Sequence, residues 1–235
     1  MRLPLLSFVL LAACALLPAR VQAQVQASLP GLTEGVHYRA IEGGQPYQPL
    51  PPGMVEVAEV FAYTCPHCAH FSPMLDAWAG QLPAHARLVL VPGVFNREDP
   101  WARVFFAAQT AKSLPVLHPR LFAAVHETGE LPRNADAAQV LAWASRVKGA
   151  NAAALRAAMA DDATLLPKLK HAYEFAARSQ IEGTPSLVVA GRYLVLGNSY
   201  QSLLDNARRV VDALAPKRAV PTRPSPAKRP AAPRT

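Results

Sequence analysis

The strongest pattern in the chain runs from Val55 to Tyr63. Val57, Glu59, Phe61 and Tyr63 alternate with Ala58, Val60 and Ala62, so the two sets occupy opposite faces of a strand. Both faces are apolar toward the end, the mark of a central, buried strand. Glu59 is the exception, since a buried carboxylate is costly unless paired or neutral. Either the strand reaches solvent there, or burial raises the Glu59 pKa and makes it a proton acceptor beneath whatever follows the strand. From about Pro66 to Gln81, Cys68, Phe71, Leu75 and Trp78 recur at helical spacing, with a kink expected at Pro73. Arg87 to Phe95, containing Leu88-Val89-Leu90-Val91, predicts a second buried strand. Together these form a βαβ unit.

Residues 98–180 change character. Helical patches fall near Pro100–Lys112, Pro119–Thr128, Asp136–Lys148, Ala152–Ala160 and Thr164–Gln180, with Asn134, Asn151 and Asp161 as expected caps. No strand pattern interrupts them, which predicts an all-helical insertion. Trp101, Phe105, Phe106, Trp143 and Phe175 are assigned to its core, and His118, His126 and His171 receive no role. Leu187-Val188-Val189 and Tyr193-Leu194-Val195-Leu196 flank Gly191-Arg192 as a hairpin. Pro185 opens it, either as a strand's first residue or in a cis bond. Tyr200 to Leu214 closes the fold as an amphipathic helix. Before the first strong strand, residues 24–54 are turn-rich, with a short edge strand expected at His37–Ile41.

The 51% hydrophobic content supplies a packed core, and 235 residues suffice for one domain with an insertion. Met1 to Ala23 has the form of an export leader: Arg2, an apolar run Leu3–Leu17, then Val21-Gln22-Ala23 as a cleavage site. Leu11-Ala12-Ala13-Cys14 leaves a lipoprotein anchor through Cys14 as the alternative. Residues 215–235 are rich in Pro, Ala, Lys and Arg and are expected to be disordered. The net charge of +8 comes from these ends: 8 of the 24 Lys and Arg lie there, and the 16 that remain match the 16 acidic residues. The folded part is neutral, so nucleic-acid binding gains no support.

Between strand and helix stands Cys65-Pro66-His67-Cys68. A CxxC at such a junction is a redox motif. Cys65 sits at the helix N-terminus, where free N–H groups and the helix dipole favour thiolate. Pro66 suits the first helical position, and protonated His67 adds positive charge beside the sulfur. Three blander readings compete. A structural staple this short stabilises by roughly 2 kcal/mol, against about 3 for a fifteen-residue loop. A zinc site usually needs a second cysteine pair, and the chain beyond the leader has none. Haem attachment needs His directly after the second Cys, where Ala69 stands.

The order of elements, with CPHC and Thr184-Pro185, resembles the thioredoxin fold. With its helical insertion, the chain is similar to the DsbA family of periplasmic disulfide oxidases over roughly residues 33–214. The resemblance implies an α/β thioredoxin-like domain from 24–97 and 181–214, with the insertion at 98–180. It implies Cys65 as exposed nucleophile, Cys68 as buried resolving thiol and Glu59 as the family's buried acid. Pro185 becomes the cis-proline facing the disulfide, and Thr184 the residue whose backbone pairs with substrate. Family members often carry Val at the Thr184 position. The substrates implied are reduced, unfolded exported proteins, and the reoxidant a DsbB-like membrane quinone reductase. The protein would be a periplasmic monomer needing neither cofactor nor metal. An isomerase or reductase of the same fold, or a non-catalytic binding module, remains the alternative.

Overall fold

The structure is a computed structural model and describes residues 28–216. The leader, Cys14 and the tail beyond Pro216 lie outside the described residues. Twelve elements follow in order: β1 (Tyr38–Ala40), β2 (Val55–Phe61), α1 (Pro66–Ala79), β3 (Ala86–Pro92), α2 (Pro100–Thr110), α3 (Leu114–His126), α4 (Ala137–Ala144), α5 (Ala152–Ala160), α6 (Asp162–Arg178), β4 (Ser186–Val189), β5 (Tyr193–Val195) and α7 (Tyr200–Ala213). The five strands form one sheet in the order β1-β5-β4-β2-β3. β2 runs parallel to β3, and the other pairs are antiparallel. This is the thioredoxin-like fold with a helical insertion, five helices lying between β3 and β4.

Each face of the sheet is covered. Val55, Val57, Leu187 and Val189 pack with Phe71 and Leu75 of α1 and with Leu204, Val210 and Val211 of α7. Ala58, Val60 and Val188 pack with the insertion, through Phe105, Leu117, Leu121 and Phe175. The period-two alternation thus holds along β2 for Val57, Ala58 and Val60. It lapses at the end, where Phe61 and Tyr63 both join the insertion side against His118 and Phe122. The strand ends at Phe61, and Tyr63 lies in the turn beyond it.

Several boundaries differ from expectation. α3 begins five residues before Pro119, behind Ser113 and with Pro115 in its first turn. Pro119 lacks the N–H that would bond Pro115, yet burial of Leu117, Leu121 and Phe122 holds the helix through it. Asp136, not Asn134, caps α4, forming a reciprocal capping box with Gln139. β3 stops at Pro92, leaving Phe95 exposed. The hairpin turn places Ala190 and Gly191 at positive φ. A Cβ on Gly191 would lie 2.0 Å from the Gln45 backbone, so only glycine fits. Among the described residues no helix is long and apolar enough to cross a membrane.

Candidate active site

β2 delivers the chain to Ala62, and the Cys65 N–H closes a turn on the Ala62 carbonyl at 3.1 Å. Cys65 is the N-cap of α1 in extended conformation, Pro66 occupies the first turn, and Cys68 lies one turn in. No side chain caps the helix, so its free N–H groups face the Cys65 sulfur. The two cysteines are free thiols in unequal surroundings: Cys65 is half-buried and Cys68 fully buried.

Chain 119 residues further on completes the surroundings. The Cys65 thiol donates to the Thr184 carbonyl oxygen at 3.2 Å, and the Thr184–Pro185 bond is cis. Burial by itself raises the Cys65 pKa. The Thr184 side chain, the Cys68 backbone and thiol, and the His67 backbone outweigh it and bring Cys65 below an ordinary thiol. Cys68 goes the other way. Burial dominates and pushes it well up, with help from the charges of Cys65 and Glu59. The outer cysteine is therefore poised as thiolate and the inner one as thiol.

Glu59 is 2% exposed, which excludes the solvent-facing alternative. Burial, then the charges of Asp76 and Cys65, push its carboxyl up to about 8. A carboxyl in that range holds a proton near neutral pH within the field of both cysteines. The Asp76 carboxyl is itself raised by burial.

The structure brings all seven sequence-predicted residues to one end of the sheet: Cys65, Pro66, His67 and Cys68 from β2–α1, Glu59 beneath them, and Thr184 and Pro185 alongside. His67, Thr184 and Pro185 open onto a hollow of about 500 Å³ whose far wall is Asn198, Tyr200 and Leu203. Tyr200 was not predicted. Its hydroxyl meets His67 Nδ1 at 3.1 Å. Two of the three insertion histidines that the sequence left without a role, His118 and His126, also reach the site. His126 donates from Nε2 to the Tyr63 carbonyl at 2.7 Å, and His118 Nδ1 meets the Tyr63 hydroxyl at 2.8 Å. His171 donates to the Tyr47 carbonyl away from the cysteines, beside Glu56. Neither Tyr200 nor the histidines carry a local sequence signal, because their partners lie 55–133 residues away.

Residues 56–208 match the DSBA-like thioredoxin domain. The thiol:disulfide interchange protein DsbA of Bordetella pertussis is 36% identical over 185 residues, covering 74% of this chain and 84% of that protein. The protein of the same name from Azotobacter vinelandii is 32% identical over 164 residues, covering 65% and 73%. Among solved structures, the oxidoreductase DsbA from Xylella fastidiosa superimposes with a TM-score of 0.71 at 33% identity, covering 79% of this chain and 97% of that one. The oxidoreductase NmDsbA1 from Neisseria meningitidis gives 0.67 at 26%, covering 79% and 95%.

Proposed function

The chain belongs to the DSBA-like thioredoxin domain family and is a thiol:disulfide oxidoreductase acting on substrate proteins; on that premise we propose how its residues divide the work. The unequal pair carries the proposal, with Cys65 accessible and favoured as thiolate, and Cys68 buried and favoured as thiol. In the oxidised protein, a substrate thiolate attacks the Cys65 sulfur. The Cys65–Cys68 bond breaks, a mixed disulfide forms, and Cys68 leaves with the electron pair. Glu59 supplies the proton that Cys68 takes up. A second substrate thiolate then attacks the substrate sulfur of the mixed disulfide, and Cys65 leaves as thiolate. Substrate has lost two electrons and the protein has gained them. Because the reduced form is stabilised at Cys65, the reaction favours oxidation of substrate.

Thr184 and Pro185 receive the substrate as an extended segment alongside Cys65. Pro185 offers no N–H to compete for the sulfur. His67 contributes its backbone N–H and, when protonated, the charge of its imidazole. Within the division at 24–97, 98–180 and 181–214, the described residues 28–97 and 181–214 make up the thioredoxin-like unit, and 98–180 covers one face of its sheet. The leader pattern of residues 1–23 supports a periplasmic location. There a DsbB-like membrane quinone reductase would return the pair to its disulfide, and the protein would act as a monomer.

Equilibration with a glutathione buffer, read by thiol alkylation, tests the direction of transfer. The pair should stay reduced at glutathione ratios that leave an ordinary structural disulfide oxidised. A pair that stays oxidised under those ratios assigns the protein to reduction or to a staple instead.

A further inference from the structure

Tyr200 is held from three sides. Ser199 caps α7 through a reciprocal box with Ser202. The Tyr200 ring packs on Phe71 of α1, with centroids 5.3 Å apart. The preceding turn is tight, since a Cβ on Gly197 would lie 2.7 Å from the Leu203 nitrogen. Little of this depends on the hydroxyl, because a phenyl ring would pack the same way. The hydroxyl points to His67 Nδ1 at 3.1 Å, across 133 residues of chain. It also lies in the field of both sulfurs, since after burial the charges of Cys65 and then Cys68 act on it.

His67 is otherwise an exposed side chain on the first turn of α1. Such a side chain samples several rotamers on a picosecond-to-nanosecond timescale. The effect of its charge on a neighbouring sulfur falls with distance, so a wandering imidazole contributes an average over near and far positions. A phenol hydroxyl suits the task of holding it in either charge state. It donates to Nδ1 of the neutral ring and accepts from Nδ1–H of the imidazolium.

We propose that Tyr200 is a positioning residue for His67, anchoring the imidazole on α7 so that its charge acts on the Cys65 sulfur from one fixed place. The inference rests on the reading that the His67 side chain favours the Cys65 thiolate. It adds a requirement that neither CPHC nor the cysteine spacing contains: tuning of the pair depends on the turn between β5 and α7.

The test is a double-mutant cycle read by Cys65 thiolate absorbance against pH and by equilibration with glutathione. Tyr200→Phe should raise the Cys65 midpoint in the same direction as His67→Ala and by less, and move the glutathione equilibrium several-fold toward a weaker oxidant. In a His67→Ala background, Tyr200→Phe should add nothing. Imidazole ¹⁵N shifts of His67 should change in Tyr200→Phe, while the thermal melt stays close to that of the parent. An unchanged midpoint in Tyr200→Phe, with His67→Ala still effective, overturns the positioning role and leaves the wider mechanism intact. A shift of equal size in both backgrounds overturns it too, because Tyr200 would then act on the sulfur without His67. If His67→Ala itself leaves the midpoint unchanged, the reading of the His67 charge fails, and the positioning role with it.

Discussion

His126 of α3 donates from Nε2 to the carbonyl of Tyr63 at 2.7 Å, tying the insertion to the turn that Cys65 closes. His118, two turns earlier in the same helix, meets the Tyr63 hydroxyl at 2.8 Å. The insertion therefore grips Tyr63 by both its backbone and its ring. His126→Ala leaves that part-buried carbonyl without its donor and should cost about 1–2 kcal/mol in a denaturant melt. A loss below about 0.3 kcal/mol would mean that water replaces the imidazole at no cost.

Glu59 and His118 should shape the stability of the oxidised protein against pH in opposite senses. With both cysteines as free thiols the Glu59 pKa is raised to about 8, first by burial. That burial persists in the disulfide form, so there too the native state binds the Glu59 proton more tightly than the unfolded chain does. Its contribution is complete below about 4.5 and is lost as pH rises toward 8. The His118 pKa is lowered by burial to about 4, so its contribution is complete above about 6.5 and is lost as pH falls toward 4. Between about 4.5 and 6.5 the two oppose each other. Above about 6.5 only the Glu59 loss continues. Glu59→Gln should remove that alkaline decline, a gain on the order of a few kcal/mol by pH 8. Melts at a series of pH values decide it, and a decline as steep in Glu59→Gln would place its origin elsewhere.

The same substitution should slow thiol–disulfide exchange. An amide cannot pass a proton to Cys68, so stopped-flow oxidation of a dithiol peptide should slow roughly tenfold or more. Superimposable rate–pH profiles would remove Glu59 from the reaction.

The stability gap between reduced and oxidised protein should itself depend on pH. The Cys65 pKa is lowered, so its stabilisation of the reduced form is lost as pH falls through the folded value and is complete above the unfolded value near 9. The Cys68 pKa is raised, so above about 9 the unfolded chain loses a proton that the native state keeps, and stability declines. The gap should therefore widen with pH and peak near 9. Paired denaturant melts of both forms measure it, and a gap that does not vary would contradict the asymmetry of the two thiols.

Thr184→Val keeps the carbonyl beside Cys65 but removes the hydroxyl, which is the largest influence lowering the Cys65 pKa. The Cys65 midpoint should rise and the protein become a weaker oxidant, with the oxidised form little changed in stability and the reduced form less stable near neutral pH. Thiolate absorbance against pH gives the answer directly, and a midpoint at or below that of the parent would exclude the hydroxyl as a donor to the sulfur.

Much of this was legible in order of sequence. The apolar run into Cys65-Pro66-His67-Cys68 places a strand before a helix and a cysteine at the helix N-terminus, all local matters of period, capping and proline geometry. The edge strand at 38–40, the hairpin and the closing helix were visible for the same reason. Boundaries were less so. α3 runs through Pro119 because burial of Leu117, Leu121 and Phe122 outweighs one missing hydrogen bond, and burial is not a local property. Glu56 shows the limit most plainly. It resembles Glu59 three residues on, yet its carboxylate accepts the backbone N–H groups of Tyr47 and Gln48 at 2.6 and 3.1 Å and pins a loop.

By itself, the sequence determined the chemistry: which sulfur meets the helix dipole, which lies a turn inside, and that an acid precedes them in an apolar strand. Those facts depend on residues within a few positions of one another. Only the tertiary structure decided the surroundings that tune that chemistry. It buried Glu59 rather than exposing it, set the Thr184 carbonyl against Cys65, turned His126 and His118 onto Tyr63, and hung Tyr200 over His67. Each of these joins residues 55 or more positions apart, or depends on what packs over a face, and no local pattern encodes such a pairing.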